Sequence, residues 1–383
     1  MRDPGSAARR VAIETLERID RDHAYANLAL SPALERSGLD ARDRGLVTDL
    51  VYGSLRMRRA CDHLADAFLS SDPPPRARAA LRVGVYQLAF TEIPKHAAVA
   101  STVGAVSGRF RGLVNAVLRR VADLVASPDG VSWPDDATRL SYPDWIVARL
   151  RAELGDADAL DALETMNLAP SVTTRTDGYV QDTASQLVVD AVGVSAGDVV
   201  ADLCAAPGGK ATGLANAGAR VVAMDLRPAR VGLIASNVER LELSASVGVV
   251  VGDAGVPPLR PASFDHVLLD APCSGLGVLH RRADARWRVS QGDVDRLASL
   301  QVRLLEAAAA LVRPGGSLTY SVCTLTRAET IDVAASAPAA WEATQPVSRD
   351  ARWTTWGSGA LLLPQRAGTD GMALFRWRLP SAA

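Results

Sequence analysis

The sequence predicts two domains of different class, an all-α N-terminal third and a Rossmann-like α/β C-terminal half, on three observations. From Ser6 to about Ala126 apolar residues recur at helical spacing. Further on, four apolar runs end in an acid: Val199-Val200-Ala201-Asp202, Val221-Val222-Ala223-Met224-Asp225, Val249-Val250-Val251-Gly252-Asp253 and Val267-Leu268-Leu269-Asp270. The first acid opens the glycine-rich turn Leu203-Cys204-Ala205-Ala206-Pro207-Gly208-Gly209-Lys210, which leads into a helix-compatible segment.

In the helical third the spacing is carried by Val11, Leu16 and Ile19, then Leu46, Leu50 and Leu55, then Leu81, Val85 and Leu88, then Leu113, Val114, Val117, Leu118 and Val121. Pro73-Pro74-Pro75 and Pro94 break the run into separate helices. A bundle is expected over residues 1–126. This part holds 19 Lys and Arg against 14 Asp and Glu, so it carries +5 and the remainder of the chain −6. That asymmetry points to an anionic partner such as RNA, for which Arg109, Arg111, Arg119 and Arg120 could contact phosphates. Solvated surface charge is the alternative for each. Residues 127–138, rich in Pro, Asp and Ser, read as a linker.

In the second half, continuous apolar strands separated by amphipathic helices indicate a parallel sheet covered on both faces. Ligands of such sheets bind beyond the carboxyl ends of the strands, so Asp202, Asp225, Asp253 and Asp270 are expected along one edge. A glycine turn between strand and helix brings backbone N–H groups to a ligand, yet neither G-x-G-x-x-G nor G-x-x-x-x-G-K-[ST] is present. An acid about twenty residues beyond the turn suits a ribose hydroxyl, which assigns Asp225 to the sugar of an adenosyl cofactor.

Asp202 to Lys210, Asp270-Ala271-Pro272-Cys273-Ser274-Gly275-Leu276-Gly277 and Tyr320-Ser321-Val322-Cys323-Thr324 together resemble motifs I, IV and VI of the S-adenosylmethionine-dependent RNA cytosine-C5 methyltransferases. The likeness is greatest to the bacterial small-subunit ribosomal RNA enzymes of the RsmB type. Leu81–Leu88 and Val114–Arg120 resemble signature helices of their NusB-like RNA-binding domain. The resemblance implies S-adenosylmethionine as cofactor, held by Cys204, Ala205, Ala206, Pro207, Gly208, Gly209, Lys210, Asp225, Asp253 and Asp270. It also implies small-subunit ribosomal RNA as partner, Cys323 as nucleophile, Cys273 as the thiol that assists product release, and Asp270 as the group holding the cytosine N3 edge. Cytosine C5 is a poor nucleophile, and addition of a thiolate to C6 makes it enamine-like. A thiol with pKa about 8.5 is only a few per cent ionised near neutrality, so the site must assist. Amino-group methyltransferases carry Asp/Asn-Pro-Pro-aromatic at the place of Asp270-Ala271-Pro272-Cys273, so carbon methylation fits better.

Arg281, Arg282, Arg286 and Trp287, with Arg288, form a basic segment with one aromatic residue, suited to phosphate contact and base stacking on unpaired RNA. A solvated loop with a packing Trp is the alternative. The chain departs from the family at several places. Thr174–Val180 runs almost directly into Gln181-Asp182-Thr183-Ala184-Ser185-Gln186, where a small α/β subdomain is usual. Residues 127–180 are therefore read as linker and connector helices, including the connector-like Ser141-Tyr142-Pro143-Asp144-Trp145, and residues 181–383 as the methyltransferase domain. Ala283 replaces a usual Pro, Arg327-Ala328-Glu329 stands in the place of Glu-Asn, and Asp370-Gly371-Met372-Ala373 in the place of Asp-Gly-Phe-Phe.

Four cysteines without C-x-x-C spacing indicate neither zinc nor a disulfide framework. Cys61 and Cys204 read as small buried residues rather than reactive thiols. No 18-residue span lacks charge and Met1-Arg2-Asp3-Pro4 leads into no signal-peptide core, so a cytoplasmic monomer without membrane contact is expected. A non-catalytic RNA-binding protein of ribosome assembly or antitermination is the alternative, against which Cys273 and Cys323 both argue.

Overall fold

The computed structural model describes residues 4–344 and 350–381; Met1-Arg2-Asp3, part of the segment read for a signal peptide, lies outside them. Two compact units account for the chain. One comprises residues 1–148, 167–169 and 279–288, the other 149–166, 170–278 and 289–383.

The first unit is helical: α1 Pro4–Asp22, α2 Ala26–Arg36, α3 Ala41–Arg56, α4 Arg58–Asp66, α5 Pro75–Phe90, α6 Lys95–Ala105, α7 Gly108–Leu124 and the short α8 Asp136–Arg139. Local chemistry sets the boundaries. Asp40 caps α3 by accepting from Asp43 N at 2.8 Å, and α5 starts on Pro75, where a missing N–H costs nothing. Ile13, Leu50, Leu81, Val114 and Leu118 fill the core, whereas Leu113 is 38% exposed despite its helical register. A Cβ on Gly84 would stand 2.5 Å from Leu118, so this glycine lets α5 and α7 approach closely. Buried Arg82 joins Asp62 and Asp20 of neighbouring segments. The unit extends past residue 126, since Ser141 Oγ accepts from Arg59 N at 2.9 Å and fully buried Tyr142 lies beneath Arg286.

In the second unit, α9 Asp144–Leu154 (its first turn counted with the helical unit) and α10 Asp156–Thr165 precede α11 Thr183–Val192. Between α10 and α11 lies no subdomain, only a turn and a hairpin closed by the Thr174–Val180 bridge. The sheet and its covering helices follow: β1 Val199–Asp202, α12 Gly209–Asn216, β2 Arg220–Asp225, α13 Pro228–Arg240, β3 Val247–Val251, β4 Phe264–Asp270, α14 Gln291–Ala309, β5 Val312–Val322, α15 Ile331–Ala334, β6 Glu342–Thr344, β7 Thr354–Trp356, β8 Gly359–Leu362, α16 Pro364–Ala367 and β9 Met372–Arg378. The order is β3-β2-β1-β4-β5-β9-β8-β7, with β6 also on β9. Strands β1 to β5 are parallel and the last four pair antiparallel. The chain runs outward from β1 to β3 and resumes on the other side at β4, so the switch point falls between β1 and β4. Their carboxyl ends carry Asp202 and Asp270. Among the described residues no helix is long and apolar enough to cross a membrane.

Candidate active site

The turn after β1 is pinned by backbone bonds: Leu203 N to Leu268 O at 3.0 Å, Ala205 N to Met224 O at 2.8 Å and Gly208 N to Ala205 O at 2.7 Å. The Ala206–Pro207 peptide is cis. Gly208, at φ +104°, turns the chain into α12, and a Cβ there would press on Ile234 Cα at 3.3 Å. A Cβ on Gly209 would come within 3.0 Å of Gln181 Nε2 and Tyr179 Cε1. Bare backbone thus faces a cavity of ≈ 180 Å³, lined by Asp202, Cys204–Pro207, Gly209, Lys210 and Asp270 together with Tyr179, Val180, Gln181 and Ser185.

Asp202 lies in the wall of this cavity, wholly buried, and among the described residues neither of its carboxyl oxygens has a hydrogen-bond partner. Burial, then the charges of Asp270 and Asp225, push its pKa up to about 7, against the opposing pull of Lys210. An orphaned acid beside a glycine cradle suits a ligand that brings a positive group, and S-adenosylmethionine, with its ammonium and sulfonium, meets that demand.

The other strand-end acids differ in environment. Asp225 is buried and braces the turn, accepting from Ala206 N at 3.3 Å and Arg227 N at 3.2 Å, with Arg230 at 3.6 Å. Asp253 is exposed, accepts from Gly255 N at 2.8 Å and does not line the cavity. Asp270 takes Lys210 Nζ at 2.6 Å on one oxygen and Ser321 Oγ at 2.7 Å on the other.

The structure brings Cys273, on the loop after β4, to Cys323, at the end of β5, with 3.3 Å between the sulfurs. The hydrogen bond shared with Cys323, then burial, hold the Cys273 thiol well above its usual range, so Cys273 keeps its proton. Burial works against the Lys210 ammonium, but Asp270, Cys323 and Asp202 together raise its pKa. Cys204 is pushed up by burial and by Asp202, Asp270 and Asp225, which leaves it a protonated wall residue. Cys61 is fully buried in the helical core.

The basic segment differs from the RNA-binding expectation, because residues 279–288 belong to the helical unit. Arg286 is completely buried: its Nη1 donates to Arg56 O at 3.0 Å, Ser141 O at 3.2 Å and Asn167 Oδ1 at 2.8 Å, and its guanidinium lies 3.9 Å from the Tyr142 ring centroid. Burial lowers its pKa to about 10. No phosphate can reach it. Trp287 donates its indole N–H to Leu55 O at 2.7 Å, and its half-buried ring lies 5.7 Å from the Arg58 guanidinium. Of the expected contacts, Arg282 stands in solvent and Arg281 is half-buried.

Two groups of residues escaped assignment from sequence. Tyr179, Gln181 and Ser185 line the cavity because Arg175 ties the hairpin to α12, donating to Gly209 O at 2.6 Å and Gln181 Oε1 at 3.1 Å. The second is buried Glu329. The signal was there in part: a lone acid in Thr324–Thr330, surrounded by hydroxyl residues, cannot be buried without their bonds.

Residues 191–376 match the family model described as 16S rRNA methyltransferase RsmB/F, and residues 6–123 that of the NusB family. The chain is 36% identical to the ribosomal RNA small subunit methyltransferase B of Thermus thermophilus over 84% of each protein. It is 35% identical to a methyltransferase of Mycobacterium tuberculosis over 97% of this chain and 96% of that protein. That alignment spans 444 positions against the 383 residues here, so the relative has at least 61 residues without a counterpart. The crystal structure of PH0851 shares the fold, with a TM-score of 0.75 at 22% identity over 98% of this chain and 99% of that one.

Proposed function

Because the chain belongs to the RsmB/F family of 16S rRNA methyltransferases and carries a NusB domain, we propose that it methylates C5 of a cytosine in small-subunit ribosomal RNA through a covalent bond from Cys323 to C6. The paired thiols beside the Lys210–Asp270 ion pair carry this reading. An enzyme acting on an amino group or a ribose hydroxyl has no use for two adjacent cysteines at strand ends.

S-adenosylmethionine supplies an electrophilic methyl group when bound. The glycine turn and Asp202 bind and orient it. Lys210 keeps a positive charge near Cys323 and so favours its thiolate, whose lone pair forms the C6–S bond and moves the C5–C6 π electrons to C5. Asp270 holds the N3 edge of the base. After methylation the C5 proton passes to water, its bonding electrons restore the C5–C6 double bond, and the C6–S bond breaks to return the Cys323 thiolate, with Cys273 assisting this release. Exposed Arg282 is available to a phosphate, a contact that positions RNA without reading its sequence.

Incubation with methyl-labelled cofactor and unmodified small-subunit ribosomal RNA, followed by nucleoside analysis, should give label only in 5-methylcytidine. Label in N4-methylcytidine or a 2′-O-methyl nucleoside would replace the proposed chemistry.

A further inference from the structure

We propose that Glu329 is the positioning residue that fixes the spacing of the two thiols. The inference rests on the thiol chemistry above and concerns a group that touches neither sulfur. The Glu329 carboxyl is fully buried and accepts from donors on both thiol loops. Oε1 takes Ser274 N at 2.8 Å and Gln301 Nε2 at 3.1 Å; Oε2 takes Ser274 Oγ, Thr324 Oγ1 at 3.1 Å and Thr326 Oγ1 at 3.0 Å. Ser274 immediately follows Cys273 and Thr324 immediately follows Cys323. One carboxyl group therefore grips the residue next to each thiol, and the two hydroxyls also meet each other at 2.9 Å.

The grip is itself anchored. Tyr320 OH donates to Glu329 O at 2.7 Å, and the Gln301 amide also reaches Pro272 O at 2.9 Å, which binds α14 to the Cys273 loop. All five donors are neutral, and no ion pair involves Glu329 among the described residues. Its place is held by hydrogen bonds alone, each strengthened by the low-dielectric surroundings. Beneath Cys323 the backbones of Gly277 and Gly371 pack directly, with Gly371 N to Gly277 O at 2.8 Å and Gly277 N to Cys323 O at 3.0 Å. That floor holds the Cys323 backbone, while Glu329 joins the Cys273 loop to it. If the loops drift apart by an ångström, attack and release no longer share one geometry, and such displacement costs about 10²-fold in rate.

Phenylarsine oxide tests this without RNA or methyl transfer, because its arsenic forms two As–S bonds only to neighbouring thiols, with loss of water. The wild type should bind it in a one-to-one dithiol complex, and Cys273→Ala sets the single-thiol level. Glu329→Gln and Glu329→Ala should bind it at least tenfold more weakly than wild type while binding S-adenosylmethionine within twofold. Their kcat on RNA should fall at least tenfold with KM changed less than threefold. Should neither variant fold, Ser274→Ala and Thr324→Val each remove one side of the grip and should each give part of the arsenical loss. Wild-type arsenical affinity in folded Glu329 variants, or in both loop variants, would overturn the assignment. A wild type that captures the arsenical but makes no 5-methylcytidine would instead fault the methylation reading and leave the positioning intact.

Discussion

Cys323→Ala is expected to lose methylation by roughly 10⁴–10⁶-fold, the scale on which removal of a covalent nucleophile acts, and to form no protein–RNA adduct. Cys273→Ala should behave differently, because its proposed role lies after bond formation. It should attack and methylate once, then fail to release, so that a protein–RNA species stable to denaturing electrophoresis accumulates. The geometry underlies this asymmetry: Cys273 keeps its proton, while Cys323 has the Lys210 cation in its electrostatic neighbourhood. An adduct trapped by Cys323→Ala and absent from Cys273→Ala would exchange the two roles. Full activity in both variants would remove the thiols from the mechanism.

Asp202→Asn should stabilise the cofactor-free protein at alkaline pH and weaken cofactor binding at the same time. The folded pKa of Asp202 is raised to about 7 from 3.8. Below the unfolded value the group is protonated in both states and contributes nothing. As pH rises from about 4 to 7 the unfolded chain ionises first, so stability falls, and above 7 the whole penalty persists, about 4 kcal/mol by linkage. The amide carries no charge to ionise. Stabilities of wild type and variant, measured by denaturant unfolding, should therefore converge near pH 4 and differ by about 4 kcal/mol in favour of Asp202→Asn at pH 8. Affinity of the wild type for S-adenosylmethionine should rise with pH through about 7, as the carboxylate needed by a cationic ligand forms, and that rise should vanish in the variant. Parallel stability curves would show that Asp202 is not the source of the penalty.

The acids Asp202, Asp225 and Asp270 could be placed from sequence because an apolar run that ends in an acid before a turn has few alternatives to a parallel strand end. The helical spacing over residues 6–126 was equally direct, since Pro73–Pro75 and Pro94 punctuate it. The burial of Arg286 is not legible in the local sequence, for a physical reason. A guanidinium can be satisfied by carbonyl oxygens as well as by phosphate, and those of Arg56 and Ser141 come from chain more than a hundred residues away. The indole N–H of Trp287 likewise finds its acceptor, Leu55 O, 232 residues away. The antiparallel strands β7 to β9 carry no strong alternation, and their pairing depends on β5, which buries Met372 and Ala373 where larger residues were expected. Tyr179 reaches the cavity only through the hairpin that occupies the place of the usual subdomain, a local arrangement that motif spacing could not announce.

The covalent step can be read most directly with an RNA whose target cytosine carries fluorine at C5. Attack and methylation leave that carbon with fluorine and methyl but no proton, so the double bond cannot re-form and the C6–S bond cannot break by elimination. A cofactor-dependent protein–RNA complex that survives denaturing electrophoresis is expected, with the modified nucleotide mapped by peptide sequencing to Cys323. Its absence under conditions where the same protein methylates ordinary RNA, or its attachment to another residue, would rule out Cys323 as the covalent nucleophile.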